Sequence, residues 1–311
     1  VTVFSDTRVI RALGEFVPVA QNTAFTQYHL EQDELGKFFR VLASQAKGIN
    51  APDSDTLQGL YVFGADGRVY SAQNTNEPSE VLEMLKTSLA SFRGNPPPRL
   101  ALSPPRVSIQ PTAPPGSVVV RTFSRIRPLP AGADRLNASV GRDFLWIRAD
   151  EIASLVAGQF PSSLGRRLTR YHLLDNVRGE PDWWAAEHVR QADFQARATS
   201  SGSLLEVRVG GTFRIEAPAG RRGYGRRQLP ASGFSGQLEG FILYDKMNRR
   251  VHSLKWIAEG QAWGEGTFTE KAPKGRFPLK VAFVLADDEA ARTIAPQGMT
   301  NSEQPGDYLV R

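Results

Sequence analysis

The spacing of apolar residues along this chain changes repeatedly, and each change marks an element. Val9, Ile10 and Leu13 make one helical face, and residues 16–20 read as a short apolar strand. Leu35, Phe38, Phe39, Leu42 and Ala46 recur at three- and four-residue spacing, which predicts an amphipathic helix stopped at Gly48. Residues 60–63 and 68–71 flank Gly64-Ala65-Asp66-Gly67, the pattern of a β-hairpin. A last helix opens at Pro78, a residue suited to the first helical turn because its missing amide hydrogen has no partner to lose there. Glu77 and Glu80 complement the positive end of that helix, and Val81, Leu82, Leu85, Leu89 and Phe92 supply its buried face.

Between residues 95 and 116 this pattern stops, and eight of the 22 residues are proline. Proline fixes φ and lacks an amide donor, so the stretch predicts an extended, stiff linker between domains at residues 1–94 and 117–311. The second domain opens with a strand at 118–123 and helices at 149–157 and 163–175, and then turns to strands. Residues 204–209 and 212–216 flank Gly210-Gly211, which reads as a two-residue hairpin loop. Residues 238–244 and 251–258 flank another turn, and Phe277, Leu279, Val281, Phe283 and Leu285 alternate onto one strand face. Trp256 and Leu254 share the inner face of their strand. An antiparallel β-rich domain, a meander or partial barrel with flanking helices, accounts for this series, and the whole chain is expected to be α+β.

Composition adds exclusions. At 41% hydrophobic and 23% charged residues, 311 residues are a folded globular chain with room for two cores. No apolar run reaches the roughly 20 residues of a membrane-spanning helix. The chain contains no cysteine, which removes disulfides, thiolate metal ligands and cysteine nucleophiles from its chemistry. Residues 1–99 carry nine Lys and Arg against eleven Asp and Glu, so the surplus in the overall charge of +6 belongs to the second domain. A modest surplus over some two hundred residues argues for a solvated surface and against a nucleic-acid partner. The chain opens on Val1 and not on methionine, which predicts that an upstream piece has been removed; an exported protein, periplasmic or secreted, is one reading of that start and leaves the compartment open.

Phe4-Ser5-Asp6, Val9-Ile10 and Phe16-Val17-Pro18-Val19, followed by Gln58-Gly59-Leu60-Tyr61-Val62-Phe63 and Asp66-Gly67-Arg68, resemble the thioredoxin-like superfamily over residues 1–93. The resemblance implies an α/β domain closed by the hairpin and by the helix after Pro78. It also implies a redox pair at the start of the family's first helix, which would fall near or before Val1. The proline that in the family precedes the hairpin strand is replaced by Leu57-Gln58-Gly59. Exchange needs an attacking thiolate, so the module is expected to be redox-inert within this chain. Residues 117–311 resemble no family of known function.

Candidate chemistry therefore gathers in the second domain. His172 and Asp175 would stand one turn apart on a helix, a spacing that lets a carboxylate orient an imidazole, and Glu180 and His188 follow closely enough to complete a metal site. His172 also borders the apolar stripe of Leu164, Leu168 and Tyr171, where a packed histidine is the plainer reading. Trp183 and Trp184 follow a turn-like run and could stack on a ligand or plug a core. Arginine pairs recur at 166–167, 221–222, 226–227 and 249–250. Arg221, Arg222, Tyr224, Arg226 and Arg227 interleave with glycines as anion-binding or single-stranded nucleic-acid loops do, and as exposed hairpin loops also do. No Gly-x-Ser-x-Gly turn and no phosphate loop occurs.

These features favour a non-catalytic binding or interaction protein with a protein or small-molecule partner and no cofactor. A metal-assisted hydrolase built on His172 and Asp175 is the first alternative. Thiol redox chemistry is the second, if a Cys-x-x-Cys pair lies upstream of Val1.

Overall fold

The computed structural model describes residues 3–20, 34–46, 57–96, 111–222, 228–299 and 305–309. The chain divides into two compact units, Val1–Gln110 with Thr300–Glu303, and Pro111–Met299 with Gln304–Arg311. It mixes helix and strand, and its largest feature is a seven-stranded antiparallel sheet in the second unit. Among the described residues no helix is long and apolar enough to cross a membrane.

In the first unit, α1 (Thr7–Leu13) is capped by Asp6, whose carboxylate accepts the Arg8 amide at 2.8 Å. Helix α2 (Glu34–Gln45) lays Phe38 against Phe63 and Phe39 against Tyr61 of the hairpin formed by β1 (Leu60–Phe63) and β2 (Val69–Gln73). Gln45 ties the helix to the hairpin turn, donating to the Gly67 carbonyl at 2.8 Å and accepting the Val69 amide at 3.2 Å. Helix α3 (Pro78–Gly94) buries Val81, Met84 and Leu85 against Val9 of α1 and against Val3. Gly48 lies outside the described residues. Residues 16–20 do not form the expected strand. The chain leaves α1 through single-turn hydrogen bonds, and Val17 and Val19 are 89% and 72% exposed. An apolar run alone does not make a strand, and no described strand lies beside this segment to accept its hydrogen bonds.

The second unit begins at Pro111, so the last residues of the proline-rich stretch fold with it: Ala113 is buried and its amide donates to the Arg292 carbonyl at 2.9 Å. Residues 97–110 lie outside the described residues. The sheet consists of β3 (Val118–Ile126), β4 (Gly141–Ile147), β5 (Val189–Ser201), β6 (Leu204–Ala217), β9 (Ser232–Asp245), β10 (Arg250–Trp263) and β11 (Arg276–Leu285). The short pair β7 (Arg221–Arg222) and β8 (Gln228–Leu229) projects between β6 and β9. The order β4-β3-β11-β10-β9-β6-β5 is a five-strand meander with the β3–β4 hairpin added beside β11. Its two ends, β4 and β5, are not paired to each other, so the sheet is open and not a closed barrel.

The inward face of the sheet is mainly apolar, with Thr122 and Ser124 of β3 as buried polar exceptions. Phe277, Leu279, Val281 and Phe283 of β11 meet Leu254, Trp256 and Ala258 of β10 and Phe234, Leu238 and Ile242 of β9. Helices α4 (Ala149–Val156) and α5 (Ser162–Tyr171) cover that face with Ile152, Leu155, Leu164 and Leu168. Each such side chain removed from water contributes about 1.5–3 kcal/mol.

Two expectations are corrected here. Gly210-Gly211 is not a turn: β6 runs through it to Ala217, paired with β5 and β9 on either side. A Cβ on Gly211 would lie 2.0 Å from the Asp193 carbonyl oxygen, so the glycine answers a close approach of backbones and not a reversal. Helix α5 also ends at Tyr171 and not near Asp175, because Leu173 and Leu174 leave the helix to enter the core while the Asp175 carboxylate accepts the Val177 amide at 3.1 Å and forms a turn.

Candidate functional site

Ending α5 at Tyr171 separates His172 from Asp175. His172 caps the helix, fully buried, with Nε2 2.7 Å from the Tyr308 hydroxyl and Nδ1 3.4 Å from Asp143 Oδ2. Asp175 instead pairs with Arg178, whose guanidinium also donates to Asn137 Oδ1 at 2.9 Å and to the Glu270 carbonyl at 3.0 Å. Glu180 is exposed as a residue, yet desolvation by the surrounding chain, and then the negative charges of Asp143 and Asp182, push its carboxyl above the usual range. His188 serves its own short turn, accepting the Ala185 amide on Nδ1 at 3.1 Å, and burial followed by the nearby Arg221 pushes its pKa down. Among the described residues no group of three or more His, Asp or Glu side chains is placed to hold a metal ion.

The partner that His172 does find belongs to a buried polar network. Arg167 and Glu151 form a bidentate pair at 2.7 and 3.0 Å, with both side chains buried. Ser163 donates to Glu151 at 2.6 Å, and Arg167 also donates to the carbonyls of Tyr308 at 2.7 Å and Trp146 at 3.1 Å. Burial pushes the Glu151 carboxyl up, but the Arg167 guanidinium and the Ser163 hydroxyl outweigh it and hold the group below the ordinary carboxylate range. Burial drives the Tyr308 phenol well above its ordinary value, so it stays protonated and can donate to His172. The network joins α4, α5, β4 and the C-terminal turn of residues Pro305–Leu309, and its hydrogen bonds are made within the fold.

Three residues singled out from the sequence meet at a second place. Asp175, Trp184 and Arg221 line a cavity of about 30 Å³ with Asp182, Ser232 and Thr269. That volume takes about one or two water molecules and no larger ligand. Trp184 is buried and donates from its indole to the Leu173 carbonyl at 2.8 Å, and Trp183 is half-buried against Tyr171. Arg221 is half-buried and donates to Ser232 Oγ at 2.6 Å; desolvation lowers its pKa, and Asp182 opposes that shift. Arg222 is exposed opposite Gln228. Tyr224, Arg226 and Arg227 lie outside the described residues.

A space large enough for a ligand lies elsewhere. A groove of about 900 Å³ opens at the end of the inner sheet face where α4 meets the ends of β9 and β11 and the starts of β3 and β10. Its floor is Val118, Ile152, Val156, Val251 and Leu285, residues continuous with the unit's core. A register shift between Val251 and Ser253 leaves His252 as the extra residue of a bulge, so Val251 packs on the core while His252 also lines the groove. Arg249, the last residue of the β9–β10 turn, and Arg250, the first of β10, also line it, with Arg249 in a left-handed conformation at φ 50°. Asp287, Asp288 and Glu289 follow β11 on another part of the lining. None of the residues singled out as candidate sites lines this groove. Arg249-Arg250 appeared in the sequence only as one recurring arginine pair. The usable signal was its place in a tight turn between two long strands, together with Ile152 and Val156 one helical turn apart.

Neither the family models, nor the curated proteins, nor the solved structures contain a match to this chain.

Proposed function

We propose that this chain is a non-catalytic binding protein in which the second unit holds a small-molecule ligand in the groove beside α4. The observation that carries this reading is the groove: about 900 Å³, within the roughly 300–1,000 Å³ usual for ligand sites, with an apolar floor and charged residues in the rest of its lining. The hydrolase alternative is weaker. His172 is enclosed with Tyr308 and Asp143, and Asp175 is held by Arg178, so neither faces a substrate-sized space. In the same proposal, residues 1–93 form a redox-inert thioredoxin-like module. Its support is the order of helices and hairpin around Val9, Val81 and Leu85, in a chain without the thiolate that exchange requires.

Ala153 is exposed and lines the groove, so Ala153→Trp fills the site without disturbing the core. The full chain is titrated with the neutral dye N-phenyl-1-naphthylamine, whose fluorescence rises in apolar surroundings. Saturable one-to-one binding is expected in the wild type, with at least tenfold weaker binding in Ala153→Trp. Equal binding by the two proteins, or none by the wild type, would remove the groove as the ligand site.

A further inference from the structure

The charges around the groove are unequally engaged. On the acidic side, Asp287 and Asp288 are both paired with Arg121, and Glu289 lies 3.7 Å from Arg292. Arg292 is itself fixed, donating to the carbonyls of Ser117 at 3.0 Å and Pro114 at 3.1 Å. Arg249, Arg250 and His252, which also line the groove, are all exposed. Arg250 faces Asp245, whose carboxylate is already occupied by Asn248 and the Met247 amide. Arg249 and His252 have no ion-pair partner among the described residues. The groove thus presents an apolar floor, acidic residues already paired with arginines, and a cluster of cationic or protonatable groups at the start of β10.

From this arrangement we infer that the natural ligand is a single-chain anionic amphiphile, a long-chain carboxylate. Its hydrocarbon would lie along Val118, Ile152, Val156, Val251 and Leu285, and its head would meet Arg249, Arg250 and His252. The inference rests on the groove being the ligand site. Each methylene buried on the floor stabilises the complex by about 0.8 kcal/mol, so a long chain supplies affinity that a short carboxylate lacks. A guanidinium recognises a carboxylate through paired hydrogen bonds, which an alcohol head cannot reproduce.

The test is calorimetric titration of the full chain with oleate, oleyl alcohol and octanoate, in the wild type, in the double variant Arg249→Glu/Arg250→Glu and in Ala153→Trp. All proteins are checked by circular dichroism and by a cooperative thermal transition. Oleate is expected to bind one-to-one, at least tenfold tighter than either oleyl alcohol or octanoate. The double variant should lose at least tenfold in oleate affinity while keeping its affinity for the neutral naphthylamine dye, and Ala153→Trp should lose both ligands. Oleate binding no tighter than oleyl alcohol, or unchanged in the double variant, overturns the carboxylate assignment while dye binding still upholds the groove. Oleate and dye binding that both survive Ala153→Trp overturn the groove itself. Association with anionic phospholipid vesicles that persists in Ala153→Trp would give the arginines to a membrane surface and also overturn the proposal.

Discussion

A carboxylate and a guanidinium buried together stabilise a fold only when nearly all their hydrogen-bonding capacity is met, because each has lost its hydration. Glu151 and Arg167 meet that condition through each other, Ser163, the Arg148 amide and two backbone carbonyls. Glu151→Gln removes the charge and leaves Arg167 buried without it, so a loss of about 3–5 kcal/mol is expected near neutral pH. The pH dependence has a definite sign. Glu151 titrates lower in the folded state than its unfolded value of about 4.3, so below that value the unfolded chain binds the extra proton, and stability falls with acidification through the folded value. Glu180 is shifted upward and runs the opposite way, which is why the variant and not the acid limb alone identifies Glu151. Urea unfolding at pH 7 and again below pH 4 should show the gap between wild type and Glu151→Gln narrowing on acidification. A constant gap would mean that the charge is immaterial. None of this could be read in advance: Arg166 and Arg167 are neighbours in sequence, one exposed and one buried, and an arginine pair does not say which residue finds a partner from another helix.

Elements held by local rules were legible and those set by neighbouring backbones were not. Helix α2, the β1–β2 hairpin, α3 and the alternation of β11 follow from spacing and turn chemistry within the element itself. Gly210-Gly211 imitates a hairpin turn, yet its glycines are required by what lies on the adjacent strand, which sequence periodicity does not report. The same constraint acts on Gly260, where a Cβ would fall 2.0 Å from the Ser235 carbonyl oxygen and 2.6 Å from the Gly236 Cα. A methyl group there forces β9 and β10 apart in the middle of the meander, and Gly260→Ala is expected to cost about 3 kcal/mol. Gly202 supplies the control. Its φ of 59° penalises alanine, but nothing lies within 4 Å of its Cβ position, so Gly202→Ala should cost only about 1–2 kcal/mol. Thermal unfolding of the two variants separates close approach from backbone conformation, and equal shifts would refute the steric account of Gly260.

At the scale of the whole chain, the second unit holds two apolar clusters: the principal one runs from Val118 to Leu285, and a second is completed by Met299 and Tyr308. Tyr308 is 1% exposed among Trp146, Tyr171 and Met299, and its hydroxyl and carbonyl engage His172 and Arg167. A stretch as short as Gly306-Asp307-Tyr308-Leu309 has no periodicity to announce such a role. Removing it exposes the site of a buried aromatic ring, about 1.5–3 kcal/mol, and leaves buried polar groups on Arg167 and His172 without their acceptor and donor, at about 1–3 kcal/mol each. Against a total stability of about 5–15 kcal/mol, that loss takes most of the margin. A fragment of residues 111–311 is therefore expected to unfold in one cooperative transition with an intact near-ultraviolet circular dichroism signal, and a fragment of residues 111–299 to lose that signal or to unfold at a far lower denaturant concentration. Comparable midpoints for the two would show that the C-terminal turn merely rests on the unit. Failure of the longer fragment to fold would show that residues 1–110 supply part of its core.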